Sequence, residues 1–141
     1  MKIHVEDSQI RKHLLEGEFG LEKEALRVTA DGRFAHTPHP FLDDDPYIVR
    51  DFCENQTEVN TGVHTSIDGV IRELLKNTAR LQDLLKDRQE YLWPFSNPPF
   101  IKDEEDIPVA SFKGEYREKT AYRNYLSDKY GRYKMTFCGI H

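Results

Sequence analysis

Cysteine is scarce: a chain of 141 residues holds only Cys53 and Cys138, far apart and in no C-x-x-C spacing. That excludes a disulfide framework and a zinc ribbon, and suits two small buried residues in a reducing compartment, the cytoplasm. No apolar run approaches the roughly 18 residues that span a bilayer, and Met1 to Asp7 lacks the apolar stretch of a secretory leader, so no membrane partner is expected. Basic charge shows no surplus either. The 20 Lys and Arg stand against 25 Asp and Glu, a formal net charge of −5 with no basic stripe, so nucleic acid is not an expected partner. Neither G-x-x-x-x-G-K-[ST] nor G-x-G-x-x-G occurs, which excludes a phosphate loop of either kind. Internal repeats and low-complexity tracts are absent as well.

What is present is charge of both signs on a modest apolar stock. Charged residues make up 32% of the chain and hydrophobic ones 38%, while eight Phe, seven Tyr and Trp93 argue against disorder. The length allows one domain, or part of one.

Periodicity sets the elements. A short helix is predicted over residues 8 to 17 from Ile10, Leu14 and Leu15, and Gly20 to Val28 reads as a strand. Asp31-Gly32 then supplies turn chemistry for a hairpin whose brief return strand is Arg33-Phe34-Ala35. His36 and His39 lie in a proline-broken surface loop, followed by an acidic loop from Phe41 to Pro46 and the run Tyr47-Ile48-Val49. A second strand covers Gln56 to Val59, with Gln56, Glu58 and Asn60 on one side.

Ile67, Val70, Ile71, Leu74, Thr78, Leu81 and Leu85 recur at three and four, predicting the longest amphipathic helix from Ser66 to about Arg88, with Thr65 and Asp68 as a capping pair. Trp93 to Pro99 carries three prolines and forms a rigid aromatic loop, and Lys102 to Asp106 is a charged surface run. A last helix spans Tyr116 to Tyr130 and stops at Gly131, its Tyr122, Tyr125, Leu126 and Tyr130 placed for the core. Tyr133 to His141 alternates as a final strand, with Tyr133, Met135, Phe137, Gly139 and His141 on one face.

The chemically informative residues begin with Glu22 and Glu24. Strand alternation puts them on one face with Leu26 and Val28, their Cα atoms about 6.5 Å apart. Burying both as anions requires a neutralising cation. Glu58, Asp51 and His141 extend the pair to a set of hard oxygen donors with one imidazole, which suits Mg²⁺ or Mn²⁺ better than zinc. On spacing alone a plainer alternative stays open, in which the two acids pair with lysine and arginine on an exposed strand.

The motifs then point to a family. Gly20-Leu21-Glu22-Lys23-Glu24-Ala25-Leu26-Arg27-Val28, Thr37-Pro38-His39-Pro40, Asp51-Phe52-Cys53-Glu54-Asn55-Gln56-Thr57-Glu58, Trp93-Pro94-Phe95-Ser96-Asn97-Pro98-Pro99, Tyr122-Arg123 and Gly139-Ile140-His141 resemble, in order and spacing, the N-terminal part of bacterial glutamate–cysteine ligases. The likeness is strongest to the ligase portion of fused glutathione-synthesis proteins. It departs after Glu58, where Val59-Asn60-Thr61-Gly62 replaces an apolar pair followed by Thr-Pro.

This resemblance implies an α+β fold, part of a glutamine synthetase-like antiparallel sheet that curves as a half-funnel with helices on one face. It implies ATP-dependent joining of L-glutamate and L-cysteine through a γ-glutamyl phosphate, with Mg²⁺, or Mn²⁺, as metal. It assigns Glu22, Glu24, Asp51, Glu58 and His141 to metal and Phe52, Tyr122 and Leu126 to the cysteine-side pocket. Residues 1–141 are expected to be the N-terminal part of one ligase domain, truncated after His141, with the remainder supplied in cis or in trans. A related ligase with another acceptor amine, and a non-catalytic remnant or split-enzyme piece, are the competing readings.

Overall fold

A computed structural model describes residues 4–14 and 16–141. Four antiparallel strands form an open sheet in the order β2-β3-β1-β4: β1 is Glu22–Thr29, β2 Ile48–Arg50, β3 Gln56–Asn60 and β4 Glu90–Leu92. Three helices accompany them, α1 (Ser8–His13), α2 (Ile67–Lys86) and α3 (Arg117–Tyr130). The predicted first helix is thus shorter than read, none of its residues is buried, and Leu15 lies outside the described residues.

The central strand β1 is bounded on one side by β3, with Glu24 opposite Glu58 and Leu26 opposite Gln56. Its other edge is shared: β4 pairs with Arg27, Val28 and Thr29, while residues 139–141 hydrogen-bond Glu22 and Glu24. Apolar side chains then fill both faces. Toward α2, Ile48 and Val59 pack with Leu74, Leu81 and Leu85. Toward the other face Leu26, Phe34, Phe52, Cys53, Ile107 and Cys138 form a second cluster, against which Leu126 of α3 rests. Burying each large aliphatic side chain contributes about 1.5–3 kcal/mol, so these clusters set the register.

The hairpin after β1 is present but brief. Gly32 takes a φ of 77°, the left-handed conformation that glycine adopts without a Cβ clash, and only Val28 and Phe34 bridge. Ser66 caps α2 through Gly69 N–H, one residue beyond the predicted Thr65. Helix α3 ends at Gly131 as expected, φ 78°, yet Tyr122, Tyr125 and Tyr130 are exposed instead of forming core.

The final segment departs most from expectation. Tyr133–Met135 is a 3₁₀ turn, because the Glu104 carboxylate accepts from Arg132 and Tyr133 N–H at 3.0 and 3.3 Å and Thr136 Oγ1 donates to Tyr133 O at 2.7 Å. Only its last residues run alongside β1, where Lys23 bridges Ile140. His39, expected on a surface loop, is half-buried with neither ring nitrogen hydrogen-bonded among the described residues. Burial and the neighbouring Arg27 push its pKa down to about 4, so it is neutral at pH 7.

Arg27 fixes the far side of β1. Its side chain is fully buried, donating from Nη1 to Glu90 Oε2 at 2.6 Å and to Thr37 Oγ1 at 2.8 Å, and from Nη2 to the carbonyls of Thr37 and Glu54 at 2.8 and 2.9 Å. One guanidinium thereby ties together β1, β4, the proline loop and the β2–β3 turn. Arg27→Met strands Glu90 as a buried unpaired anion and should cost about 3–5 kcal/mol of unfolding free energy, whereas Arg27→Met with Glu90→Met should recover most of it. Urea denaturation of both variants reads the difference, and equal losses would contradict this role.

Candidate functional site

Strand register gathers the acids. Glu24 faces Glu58 across β1 and β3, and Asp51 N–H donates to Gln56 O at 3.1 Å, which continues the β2–β3 register and puts Asp51 on the same face. As a result one ligand oxygen from each of Glu24, Asp51 and Glu58 lies within 4.8 Å of the others. Of the remaining residues read as metal ligands, Glu22 is exposed one step along the strand, and His141 Nε2 stands 3.8 Å from Glu24 Oε2. Neither completes this cluster of three.

Each clustered residue has a neighbour from a different segment. Gly139 N–H donates to Glu24 Oε2 at 2.8 Å, and Asn60 Nδ2 donates to Glu58 Oε1 at 2.9 Å. Arg123 of α3 donates from Nε to the Asp51 carbonyl at 2.6 Å, with Nη2 3.6 Å from Oδ1. The second oxygens, Glu24 Oε1, Glu58 Oε2 and Asp51 Oδ2, have no protein donor among the described residues. No lysine or arginine pairs with Glu22 or Glu24 among those residues, although Glu22 is exposed as the plainer alternative expected. Three carboxylates with spare lone pairs are hard oxygen donors of the type that Mg²⁺ or Mn²⁺ takes.

The three carboxylates repel one another. Burial raises the pKa of Glu24, with Asp51 and Glu58 adding repulsion against the lowering effects of Gly139 N–H and His141. Burial likewise raises Glu58, and Asp51 and Glu22 reinforce it. Anions crowded on one half-buried face are costly until charge is supplied.

Of the pocket residues, Phe52 is buried and belongs to the cluster against which Leu126 packs, so these two are brought together. Tyr122, on the same helix, is exposed. The residues that sequence reasoning missed are cations and a backbone group. Phe112, nearly buried, carries Arg50 and Arg123 over its ring at 4.4 and 4.8 Å, with Lys119 at 5.5 Å. Arg123 stood in a recognised motif without a role, and only the fold shows it reaching Asp51. Gln56 links the two thiols, accepting from Cys53 Sγ at 3.5 Å and donating to Cys138 Sγ at 3.8 Å. Both thiols are buried and free, and burial raises their pKa values, that of Cys138 to about 12, which disfavours the reactive thiolate.

An open antiparallel sheet thus presents three carboxylates on one face, with Arg123 beside Asp51. The chain belongs to the glutamate–cysteine ligase family, whose model matches residues 3–141. The glutathione biosynthesis bifunctional protein of Listeria monocytogenes is 46% identical over 140 residues, which are 96% of this chain and 18% of that protein. A crystal structure of the glutamate–cysteine ligase of Francisella tularensis, in complex with AMP, superposes with a TM-score of 0.82 at 34% identity, over 89% of this chain and 26% of that one. A bifunctional glutathione synthetase from Pasteurella multocida gives 0.86 at 35% identity, over 98% of this chain and 18% of that one. The chain therefore spans about a fifth to a quarter of the length of these relatives.

The raised carboxyl groups give a signed pH dependence for the metal-free chain. A group whose folded pKa exceeds its usual 4.5 stabilises the fold below that value and loses the contribution as pH rises through the folded pKa. Glu58→Gln, which retains an acceptor for Asn60, should melt higher than the parent chain at about pH 8 and show no such gain at about pH 4. A gain independent of pH in thermal melts would contradict the repulsion.

Proposed function

We propose that this chain supplies the metal cradle and part of the amino-acid pocket of an ATP-dependent ligase that joins the γ-carboxylate of L-glutamate to the amine of L-cysteine. The observation that carries the reading is the convergence of Glu24, Asp51 and Glu58 on one sheet face in a member of this family. The AMP bound to the Francisella relative supports ATP as co-substrate.

The donor set fits Mg²⁺, or Mn²⁺, held by Glu24, Asp51 and Glu58, with Glu22 and His141 flanking. Bound there, the metal offsets the negative charge that gathers when a phosphoryl group moves to a carboxylate. The chain's own groups do the rest of the local work. Gly139 N–H orients the Glu24 carboxylate, while Arg123 anchors the Asp51 backbone carbonyl and sets a positive charge 3.6 Å from its carboxylate, and rigid strands keep both in place. Phe52 and Leu126 wall the cysteine side, with the exposed Tyr122 of the same helix as Leu126 completing that pocket.

In the overall reaction the γ-carboxylate oxygen takes the terminal phosphoryl group of ATP, releasing ADP. The cysteine amine then attacks the acyl carbon, expelling phosphate and losing its proton. Nucleotide contacts fall to the remainder of the ligase, supplied in cis or in trans, and residues 1–141 are the N-terminal part of that one domain. We place the protein in the cytoplasm, which its two free buried cysteines support. Among the described residues no helix is long and apolar enough to cross a membrane.

The test is a chimera in which this chain replaces the matching segment of the Francisella ligase. It should release ADP only with glutamate and cysteine together, and Asp51→Asn should lower that rate by about a hundredfold or more without unfolding the protein. ADP release with another amine in place of cysteine would shift the acceptor, and a folded chimera inert with every amine would favour a non-catalytic remnant.

A further inference from the structure

Gly139 raises a question the cradle alone does not answer. Its backbone needs no glycine: Gly32, Gly114 and Gly131 are the described glycines with positive φ, and Gly139 is not among them. Its N–H on Glu24 and its carbonyl, which accepts from Glu24 N–H at 3.0 Å, are groups that any residue except proline would supply. What distinguishes the position is the space where a side chain would stand. A Cβ built at Gly139 meets the imidazole of His141 first, at 3.0 Å from Nε2, 3.3 Å from Cε1 and 3.7 Å from Cδ2.

The strand explains the encounter. Glu22 and His141 exchange backbone hydrogen bonds at 3.0 and 2.8 Å, and Ile140 bridges Lys23, so residues 139 and 141 point their side chains to one side of the segment. Same-side neighbours lie about 6.5 Å apart at strand rise, within reach of a histidine that leans back along the chain. It leans across Gly139, and there its Nε2 comes to 3.8 Å from Glu24 Oε2.

We infer that Gly139 is a positioning residue for His141: the absent side chain is the slot through which the imidazole reaches the acid cluster. This rests on the reading of Glu24, Asp51 and Glu58 as a divalent-cation site, and it adds what brings a nitrogen donor to that site. The imidazole is 63% exposed, so an added methyl group is accommodated by swinging the ring outward. The β1 ladder and the hydrogen bond to Glu24 stay as they are. The effect of a side chain at this position therefore falls on the ligand and not on the fold.

The experiment loads the chain with Mn²⁺ and reads bound nitrogen by electron spin-echo envelope modulation, with Mn²⁺ Kd by titration and folding by thermal melting. The parent chain should show imidazole nitrogen modulation, His141→Ala should abolish it, and Gly139→Ala should remove most of it while weakening Mn²⁺ about tenfold. In the His141→Ala background Gly139→Ala should cost nothing more, since it acts through the ring. Full modulation in Gly139→Ala, a further loss of affinity in the double variant, or a Gly139→Ala chain that no longer melts cooperatively would each overturn the inference. Parent chain that binds Mn²⁺ with no nitrogen signal would overturn it and leave the carboxylate site standing. Parent chain that binds no Mn²⁺ would overturn the site reading and the inference with it.

Discussion

The pairing of β1 with β3 is the constraint from which the rest of the molecule follows. It sets Glu24 directly opposite Glu58, an arrangement of like charges that disfavours the sheet by roughly 0.2–1 kcal/mol. The same register buries Leu26 and Val28 from one strand and Val59 from the other, each worth about 1.5–3 kcal/mol. Packing wins by a wide margin, so the repulsion is retained in the folded chain. A slip of one residue would send the acids to the α2 face and the apolar residues away from their clusters.

Around that conflict the surrounding elements are arranged by charge. Arg27, pointing to the opposite face of β1, spends both Nη groups on Glu90, the Thr37 hydroxyl and the carbonyls of Thr37 and Glu54, and neutralises nothing in the acid cluster. Arg123 and Lys119 of α3 approach from the acid side, and only Arg123 makes contact, at Asp51. Its guanidinium carbon lies 4.8 Å from the centroid of the Phe112 ring. The cluster therefore has a cation beside Asp51 only, while Glu24 and Glu58 each accept one neutral N–H donor. A divalent cation at these half-buried, partly neutralised carboxylates is what the proposed function requires of the fold.

Much of this was legible in the sequence because local period carried it. Alternation along Glu22 to Val28 placed the acids with Leu26 and Val28, and the three-and-four spacing from Val70 to Leu85 found α2 and its buried side. Glu58 on a second strand face was readable for the same reason, although its register against Glu24 was not. What period cannot show is long-range satisfaction. Arg27 alternates like a solvent-facing residue, and its burial depends on Glu90, 63 residues away. Strand β4 has three residues, too few for any pattern.

The last segment misled for a related reason. Tyr133 to His141 alternates well, yet Glu104 and Thr136 offer nearby hydrogen bonds that turn its first half, and only the end finds β1. The aromatic spacing of α3 suggested core, whereas the described structure leaves Tyr122, Tyr125 and Tyr130 open to solvent. Arg123 and Gly139 were both visible in recognised motifs. Their work on Asp51 and Glu24 is a matter of tertiary distance that no spacing encodes.

The central claim is that strand register, by forcing three carboxylates together, creates one place for a divalent ion. A crystal of the chain grown with Mn²⁺ and measured for anomalous scattering tests it most directly. The account predicts an anomalous peak among Glu24, Asp51 and Glu58, coordinated by an oxygen of each. A well-ordered crystal in which those carboxylates stand at the same separation with no peak between them, or with the ion bound elsewhere on the chain, would contradict it.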